Sequence, residues 1–320
     1  MLIIVNPTSA HGAARVRWAQ LEGVLRGAGL RFDVALTQST GHATELAAQA
    51  AQHGHDVVAC LGGDGTVNEV LNGLMSYAGA ESVGVGLRPA PTQRPAPALA
   101  VIPCGTGSDF ARALKLPHAP QEVLALLQRG TAQDVDVGLV TCQHAGQMVQ
   151  RHFINIAGIG FDGEVSAQMN RSSKRGGSLA YFANVFKVLG RYKNKRAAVT
   201  IKHGSHEQRI EGIFNSIVIA NGQYFGGGMW VAPNASWCDG LLDVVLIGDV
   251  SRAEFVATFP KIYRGAHLTH PKVRSFRATE VRIESHLQEH ALLEAEGELF
   301  GAAPATVRVL PGACRLLVLH

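Results

Sequence analysis

Residues 56–75 hand a strand over to a helix through a cluster of glycines, and this constrains the fold more than any other stretch of the chain. Asp56–Leu61 reads as a buried strand that runs straight into Gly62-Gly63-Asp64-Gly65-Thr66, and a helical pattern follows through about Met75. The same alternation recurs on both sides. Leu2–Val5 is a short apolar run ending in Asn6-Pro7-Thr8-Ser9-Ala10, with an amphipathic stretch over Ala13–Arg26. Phe32–Leu36 reads as a second strand and Gly41–His53 as an Ala-rich helix. After a Pro-rich loop, Ala98–Ile102 ends in Pro103-Cys104-Gly105-Thr106-Gly107. Strands alternating with helices predict an α/β domain built on a parallel, Rossmann-like sheet. In such sheets ligands collect at the carboxyl ends of the strands, where these glycine loops lie.

From about Asp134 the pattern changes. Val135–Thr141, Phe153–Ile156, Val199–His203, Ile213–Ala220, Leu242–Ile247, Val281–Ser285, Ala291–Ala295 and Thr306–Val309 are short β-rich runs. Helical stretches interrupt them near Gly177–Tyr192 and Ser251–Tyr263, the second opened by a Ser251…Glu254 capping box. A second, β-rich domain of β-sandwich type is predicted, with a boundary near residue 130. The 320 residues suit two domains, and 47% hydrophobic against 17% charged residues predicts a globular chain. A net charge of +4 is too mild for a nucleic-acid binder, but suits a protein that meets an anionic ligand or a membrane surface. The five cysteines are scattered and never form a CxxC pair. With no basic amino-terminal region and no apolar run near the roughly 20 residues that span a bilayer, a cytoplasmic protein with peripheral membrane contact is expected.

The loop Gly62–Glu69 carries the most chemistry. Glycines at a strand end before a helix let backbone N–H groups approach a phosphate, and the helix dipole favours its charge. The loop lacks the Gly-Lys-Ser/Thr of a P-loop and the GxGxxG of dinucleotide folds. Asp64 would repel a phosphate unless a divalent cation bridged them, which implies Mg²⁺. The plain alternative is a tight turn in which Thr66 and Glu69 form a capping box, the reading adopted for Glu69 itself.

Gly62–Asn68 resembles the GGDGTxN signature of diacylglycerol kinases and sphingosine kinases, shared more distantly with NAD kinases and phosphofructokinases. Asn6–Ala10 resembles the NPxSG opening of the same family, with Ala10 in place of its glycine. Pro103–Arg112 is similar to P-x-GT-x-NDFAR, Asn155–Asp162 to N-x-xG-x-G-x-D, and Pro233–Asp243 to P-x-A-x-x-DG-x-LD. These motifs stand in the expected order over nearly the whole chain and favour the bacterial lipid-kinase branch over NAD kinases.

The resemblance implies a lipid kinase with ATP as co-substrate, Mg²⁺ as cofactor and a lipid as acceptor. The implied fold is a Rossmann-like domain over residues 1–132 and a β-sandwich lipid domain over 133–304. Residues 305–320, with Arg315–Leu319 as a strand, would return to the first domain. Asn6, Thr8, Ser9, Thr37, Gly62, Gly63, Asp64, Gly65, Thr66, Val67, Asn68 and Thr106 would contact ATP. Asp64 and Asp109 would hold the Mg²⁺ of Mg-ATP. Asp239, with oxygens at Ser236 and Leu241, would bind a second, structural Mg²⁺, although Asp239-Gly240 reads equally as a hairpin turn.

The family's base lies in a D-G-E motif, read here as Glu296-Gly297-Glu298. Glu296 becomes the candidate base, with Asp64 and Glu298 as further catalytic residues; the bland alternatives are an exposed acidic turn or a failed base. The active site is expected in a cleft between the domains. A kinase with a soluble acceptor and a non-catalytic nucleotide- or lipid-binding protein remain as competing readings, and a homodimer is the commonest soluble assembly.

The basic, aromatic stretch Arg171–Arg196 suits an interfacial enzyme at an anionic membrane, or else a core helix with a solvated basic face. His286–His290 matches an HxxEH zinc pattern but sits between β-patterned runs and reads as a hairpin loop.

Overall fold

The four residues of β1 (Leu2–Val5) are buried without a polar interruption, as a strand covered on both faces must be. In the computed structural model, which describes residues 1–78, 95–104, 109–144, 146–171, 177–285 and 290–319, the chain divides into two units. One comprises Met1–Val137 with Pro311–His320, the other Gly138–Leu310. The HxxEH pattern lies almost wholly outside the described residues.

In the first unit β1 is followed by α1 (Ala13–Gly27), β2 (Asp33–Leu36), α2 (His42–Gln52), β3 (Val57–Gly62) and α3 (Asp64–Tyr77). Then come β4 (Ala98–Pro103), α4 (Asp109–Ala113), α5 (Pro120–Arg129) and the start of β5 (Thr131–His144). β1 pairs in parallel with β2 and β3, and β3 with β4. Ile3, Val5, Ala59, Leu61, Ala100 and Ile102 recur at every second position and pack on Trp18, Leu21 and Leu25 of α1 and Leu126 of α5. On α3, a β-carbon at Gly73 would meet the Thr44 carbonyl oxygen at 2.3 Å, so the two helices approach there by backbone contact.

The second unit continues with β6 (Gln147–Phe153), β7 (Ile156–Gly160), α6 (Phe161–Arg171), α7 (Gly177–Arg191), β8 (Lys195–His203), β9 (His206–Phe214) and β10 (Ser216–Ala220). β11 (Tyr224–Phe225), β12 (Met229–Trp230), β13 (Leu242–Ile247), α8 (Arg252–Ile262), β14 (Val273–Ala278), β15 (Glu280–Ser285), β16 (Leu292–Ala295) and β17 (Glu298–Val318) follow, and from Pro311 on β17 belongs to the first unit. The pairs β14–β13, β13–β10, β10–β7, β7–β16 and β16–β17 are antiparallel. β17 also pairs with β15, β15 with β8 and β8 with β9, again antiparallel. Ile159, Ile217, Ile219, Val244 and Leu246 from the first strand set share one core with Val199, Ile201, Val281, Ile283 and Val307 from the second.

Three expectations change. Phe153–Ile156 is not one strand: β6 ends at Phe153 and β7 begins at Ile156, because the Ile154 and Asn155 N–H groups turn to Glu296 Oε1. The run Ile213–Ala220 is not one strand: it breaks at Asn215, whose N–H turns to the carbonyls of Ile247 and Gly248 at 2.8 and 3.1 Å. Thr306–Val309 and Arg315–Leu319 belong largely to a single strand, β17. It runs through Pro311-Gly312 because the Gly312 N–H donates to Asp136 Oδ1 at 2.8 Å.

Candidate active site

The loop after β1 is tied to the first turn of α3. Asn6 Nδ2 donates to Thr66 Oγ1 at 2.9 Å, while Asn6 Oδ1 accepts from the Thr8 N–H and hydroxyl at 3.1 and 2.8 Å. The Gly63 N–H donates to Ser9 Oγ at 3.4 Å. Thr37 follows β2 at the same sheet end, its N–H on the Val5 carbonyl at 2.9 Å. A β-carbon at Gly62 would lie 2.6 Å from Thr66 Cβ, which makes glycine obligatory in the strand-to-helix turn. Around Gly63, by contrast, no atom of the described residues stands within 4 Å of the position a β-carbon would take. Open space thus meets the amino end of a 14-residue helix, where backbone N–H groups and the helix dipole favour an anion. Asn6, Thr8, Ser9, Thr37, Gly63 and Thr66 converge here. Val67 and Asn68 are buried in the helix body, where Asn68 Oδ1 accepts from Asn72 at 3.2 Å. Thr106 lies outside the described residues.

Asp64 opens α3 and Asp109 opens α4, and the Asp109 N–H approaches Asp64 Oδ2 at 3.4 Å. Asp109 is buried, with Arg112 at 3.6 Å. Asp64 and Asp109 offer hard carboxylate oxygens of the kind Mg²⁺ takes, the first beside an anion-binding helix end and the second with a guanidinium near it. The set expected for a second Mg²⁺ fits less well. Asp239 Oδ1 accepts the Leu241 N–H at 3.1 Å, its Oδ2 is ion-paired with Arg277, and the Ser236 hydroxyl faces Cys238 Sγ at 3.8 Å. A guanidinium neutralises the carboxylate a cation would need.

The Thr66–Glu69 capping box does not form. Thr66 is engaged by Asn6, and Glu69 reaches α2 instead, accepting from the Gly41 and Ala43 N–H groups at 2.9 and 3.2 Å. Its charge there complements the positive end of α2.

In the second unit, β16 and β17 are joined by a two-residue turn. Ala295 pairs with Glu298, leaving Glu296 and Gly297 between them at φ 56° and 79°. Both are left-handed, as a type I′ hairpin turn requires. Glu296 Oε1 accepts from the Ile154 and Asn155 N–H groups, both at 2.7 Å, and its own N–H donates to the Ile156 carbonyl at 3.0 Å. Asn155 in turn holds the neighbouring loop, Nδ2 donating to the Tyr224 carbonyl at 2.7 Å. The Ile154 and Asn155 amides between β6 and β7 therefore clamp the Glu296 carboxylate. Glu298 differs: it is about half exposed and ion-paired with Arg151 at 3.1 Å.

Residues 1–140 match the diacylglycerol kinase catalytic domain, and residues 155–318 match the YegS C-terminal NAD kinase beta sandwich-like domain. The chain belongs to the diacylglycerol kinase family of lipid kinases. It is 31% identical over 305 residues to the probable lipid kinase YegS-like of Xanthomonas euvesicatoria pv. vesicatoria, covering 92% of each chain. It is 30% identical over 306 residues to the diacylglycerol kinase of Bacillus subtilis strain 168, covering 94% of this chain and 90% of that one. A crystal structure of a putative diacylglycerol kinase from Bacillus anthracis str. Sterne shares the fold, with a TM-score of 0.72 at 24% identity over 99% of this chain and 97% of that one.

This lipid kinase therefore phosphorylates a lipid hydroxyl. The buried Glu294 carries no sequence signal, and the half-buried Asp162 is marked only as the last residue of the Asn155–Asp162 motif. They are 132 residues apart (294 − 162), and a single acid on a strand or helix has no spacing to mark it. No described helix is long and apolar enough to cross a membrane.

Proposed function

We propose that the chain transfers the γ-phosphate of ATP to the hydroxyl of a membrane lipid, with Glu296 as general base. The observation that carries this reading is the clamped carboxylate. Two backbone N–H groups fix Glu296 Oε1 in a left-handed turn, a conformation that costs energy for a glutamate. An exposed acidic turn would not need that. A carboxylate held in place can accept the proton of an acceptor hydroxyl as it attacks in line.

In the first unit, the Gly63 and α3 amides would receive phosphate oxygens, with Asn6, Ser9 and Thr66 fixing the loop around them. Asp64 and Asp109 would hold Mg²⁺, which when bound neutralises phosphate charge. The acceptor is a hydroxylated lipid of the diacylglycerol class, with a sphingoid base or phosphatidylglycerol as chemical alternatives.

A peripheral membrane contact is supported by α7 and α8. Val185, Val188 and Leu189 of α7 are buried on Phe161 and Val165, so that face is core. On the other side Phe186 is exposed, and its ring lies 6.2 Å from Phe259 of α8, which lies 6.2 Å from the exposed Tyr263. Lys187, Arg191, Lys261 and Arg264 are exposed on or beside the same two helices. Aromatic rings flanked by cations suit an anionic lipid surface. Lys174 and Arg175 lie outside the described residues.

The test is phosphoryl transfer from γ-labelled ATP into an organic-extractable product, with bacterial lipid in mixed micelles and Mg²⁺. Label in the organic phase, absent with Asp64→Ala, is the expected result. Turnover of a water-soluble acceptor alone would overturn it.

A further inference from the structure

Behind the turn that carries Glu296 lie two acids with no part in the reaction as described. Glu294 is 3% exposed, and its Oε2 accepts the Gly297 N–H at 2.7 Å. Asp162, in the first turn of α6, accepts a short hydrogen bond from the Ser216 hydroxyl of β10. The two face each other across Gly158 of β7. A β-carbon there would stand 2.7 Å from Glu294 Oε1 and 2.9 Å from Asp162 Oδ2, so both carboxyls fill the room its missing side chain leaves. We propose that Asp162 and Glu294 share one proton and act together as positioning residues for Glu296, the shared proton locking the pair and Glu294 anchoring the turn through Gly297.

The surroundings support this. Neither acid has an ion pair among the described residues. The groups contributed by the elements packed around them are Glu164 on α6, Lys187 and Arg191 on α7, Ser216 on β10, and Glu296 and Glu298 at the turn. Lys187 and Arg191 are exposed, Arg191 donates to Gln168 at 2.7 Å, and Glu298 is paired with Arg151. Two neighbouring carboxylates, one buried and one half-buried, resist ionising together without a cation. Burial pushes Asp162 up to about 6, and burial together with the charge of Asp162 pushes Glu294 well above the usual carboxylate range. A protonated partner can donate to an ionised one, which turns a repulsive contact into a hydrogen bond. Glu294 then keeps an oxygen for Gly297, and Gly297 and Glu296 form the left-handed turn.

The inference rests on Glu296 being the base, and the experiment separates the two. The first readout is the infrared carboxyl region of the full chain at pH 7, compared with the Asp162→Asn/Glu294→Gln double variant. A protonated-carboxyl band in the wild type that the double variant lacks is expected, and its absence from the wild type overturns proton sharing. The second is kinetics in mixed micelles. Glu294→Leu removes the acceptor for Gly297 and should lower kcat by roughly tenfold to a hundredfold with KM for ATP unchanged. Glu294→Gln keeps that acceptor and should recover most of the loss. A folded Glu294→Leu variant with wild-type kcat overturns the positioning role. If instead Glu296→Gln turns over normally, the base assignment fails while the infrared result still decides the pair.

Discussion

Ala10 in the first unit and Glu296 in the second both depart from the family's motifs, and both sit in left-handed backbone. Ala10 has φ 51° and is followed by His11 at 57° and Gly12 at 90°. The family's glycine fits such a position at no steric cost, whereas a β-carbon costs roughly 1–2 kcal/mol. Glu296 has φ 56°, where the family's Asp is the better tolerated residue. The difference lies in what holds each one. Glu296 is fixed by hydrogen bonds that two backbone N–H groups donate to its carboxylate and by a following glycine that Glu294 anchors. Ala10 has no polar side chain to fix it: its methyl packs against the core of the first unit, and its carbonyl accepts the Ala13 N–H. The left-handed glutamate is thus held by polar bonds to its side chain, and the left-handed alanine by packing and local backbone bonds.

The largest test of that contrast is Glu296→Gln, which keeps the side chain's shape but removes its basicity. It should lower kcat by about 10²–10⁴ with nucleotide binding intact, read by phosphoryl transfer beside ATP titration. Undiminished turnover would reduce Glu296 to a structural turn residue. Asp64→Ala should lose about 10²-fold or more in transfer and weaken Mg²⁺-dependent ATP binding, since it removes the carboxylate at the amino end of α3.

A pH effect of intermediate size follows from Asp162. Its folded pKa of about 6 lies above the ordinary 3.8, so the native state keeps a proton that the unfolded chain releases. This contribution is complete below about pH 4 and is lost as pH rises through about 6, at most about 3 kcal/mol. Unfolding midpoints of the wild type measured from pH 4 to 8 should fall relative to those of the Asp162→Asn/Glu294→Gln variant. Parallel curves would mean the acids titrate normally.

The smallest effects concern the strain itself. Ala10→Gly should raise stability by about 1 kcal/mol or less, because relief of the left-handed alanine is partly offset by glycine's greater unfolded entropy. Glu296→Asp should gain a similar amount in the turn and lose reach to the Ile154 and Asn155 amides. A lower melting temperature would show that those two bonds outweigh the strain.

The sequence exposes features whose chemistry is contiguous. Gly62–Thr66 could be read because glycines, an acid and a strand end fall together, and Ser251–Glu254 because a capping box is local; its two bonds form at 2.7 and 3.2 Å. Glu-Gly at 296–297 hides its turn, since the usual I′ signal is Asn-Gly or Asp-Gly. Glu69 capping α2, Arg277 on Asp239 and the Asp162–Glu294 pair depend on residues brought together from far apart, which no periodicity announces. The expected cuts after residues 132 and 304 fall inside β5 and β17, where strand residues continue without a punctuating signal.

β17 also has a meaning for biosynthesis. Its Leu316 lies in parallel register with Leu99, 217 positions earlier (316 − 99), and both belong to the first unit. Beside the Gly130 position, Leu317 Cγ and the Val318 carbonyl stand 2.9 and 3.1 Å from where a β-carbon would be. A nascent chain that has already delivered the whole glycine-loop half must therefore wait, with β4 lacking this neighbour, until the entire second unit has been translated. The half made first is the half sealed last, and that interval is when chaperones and proteases have their access.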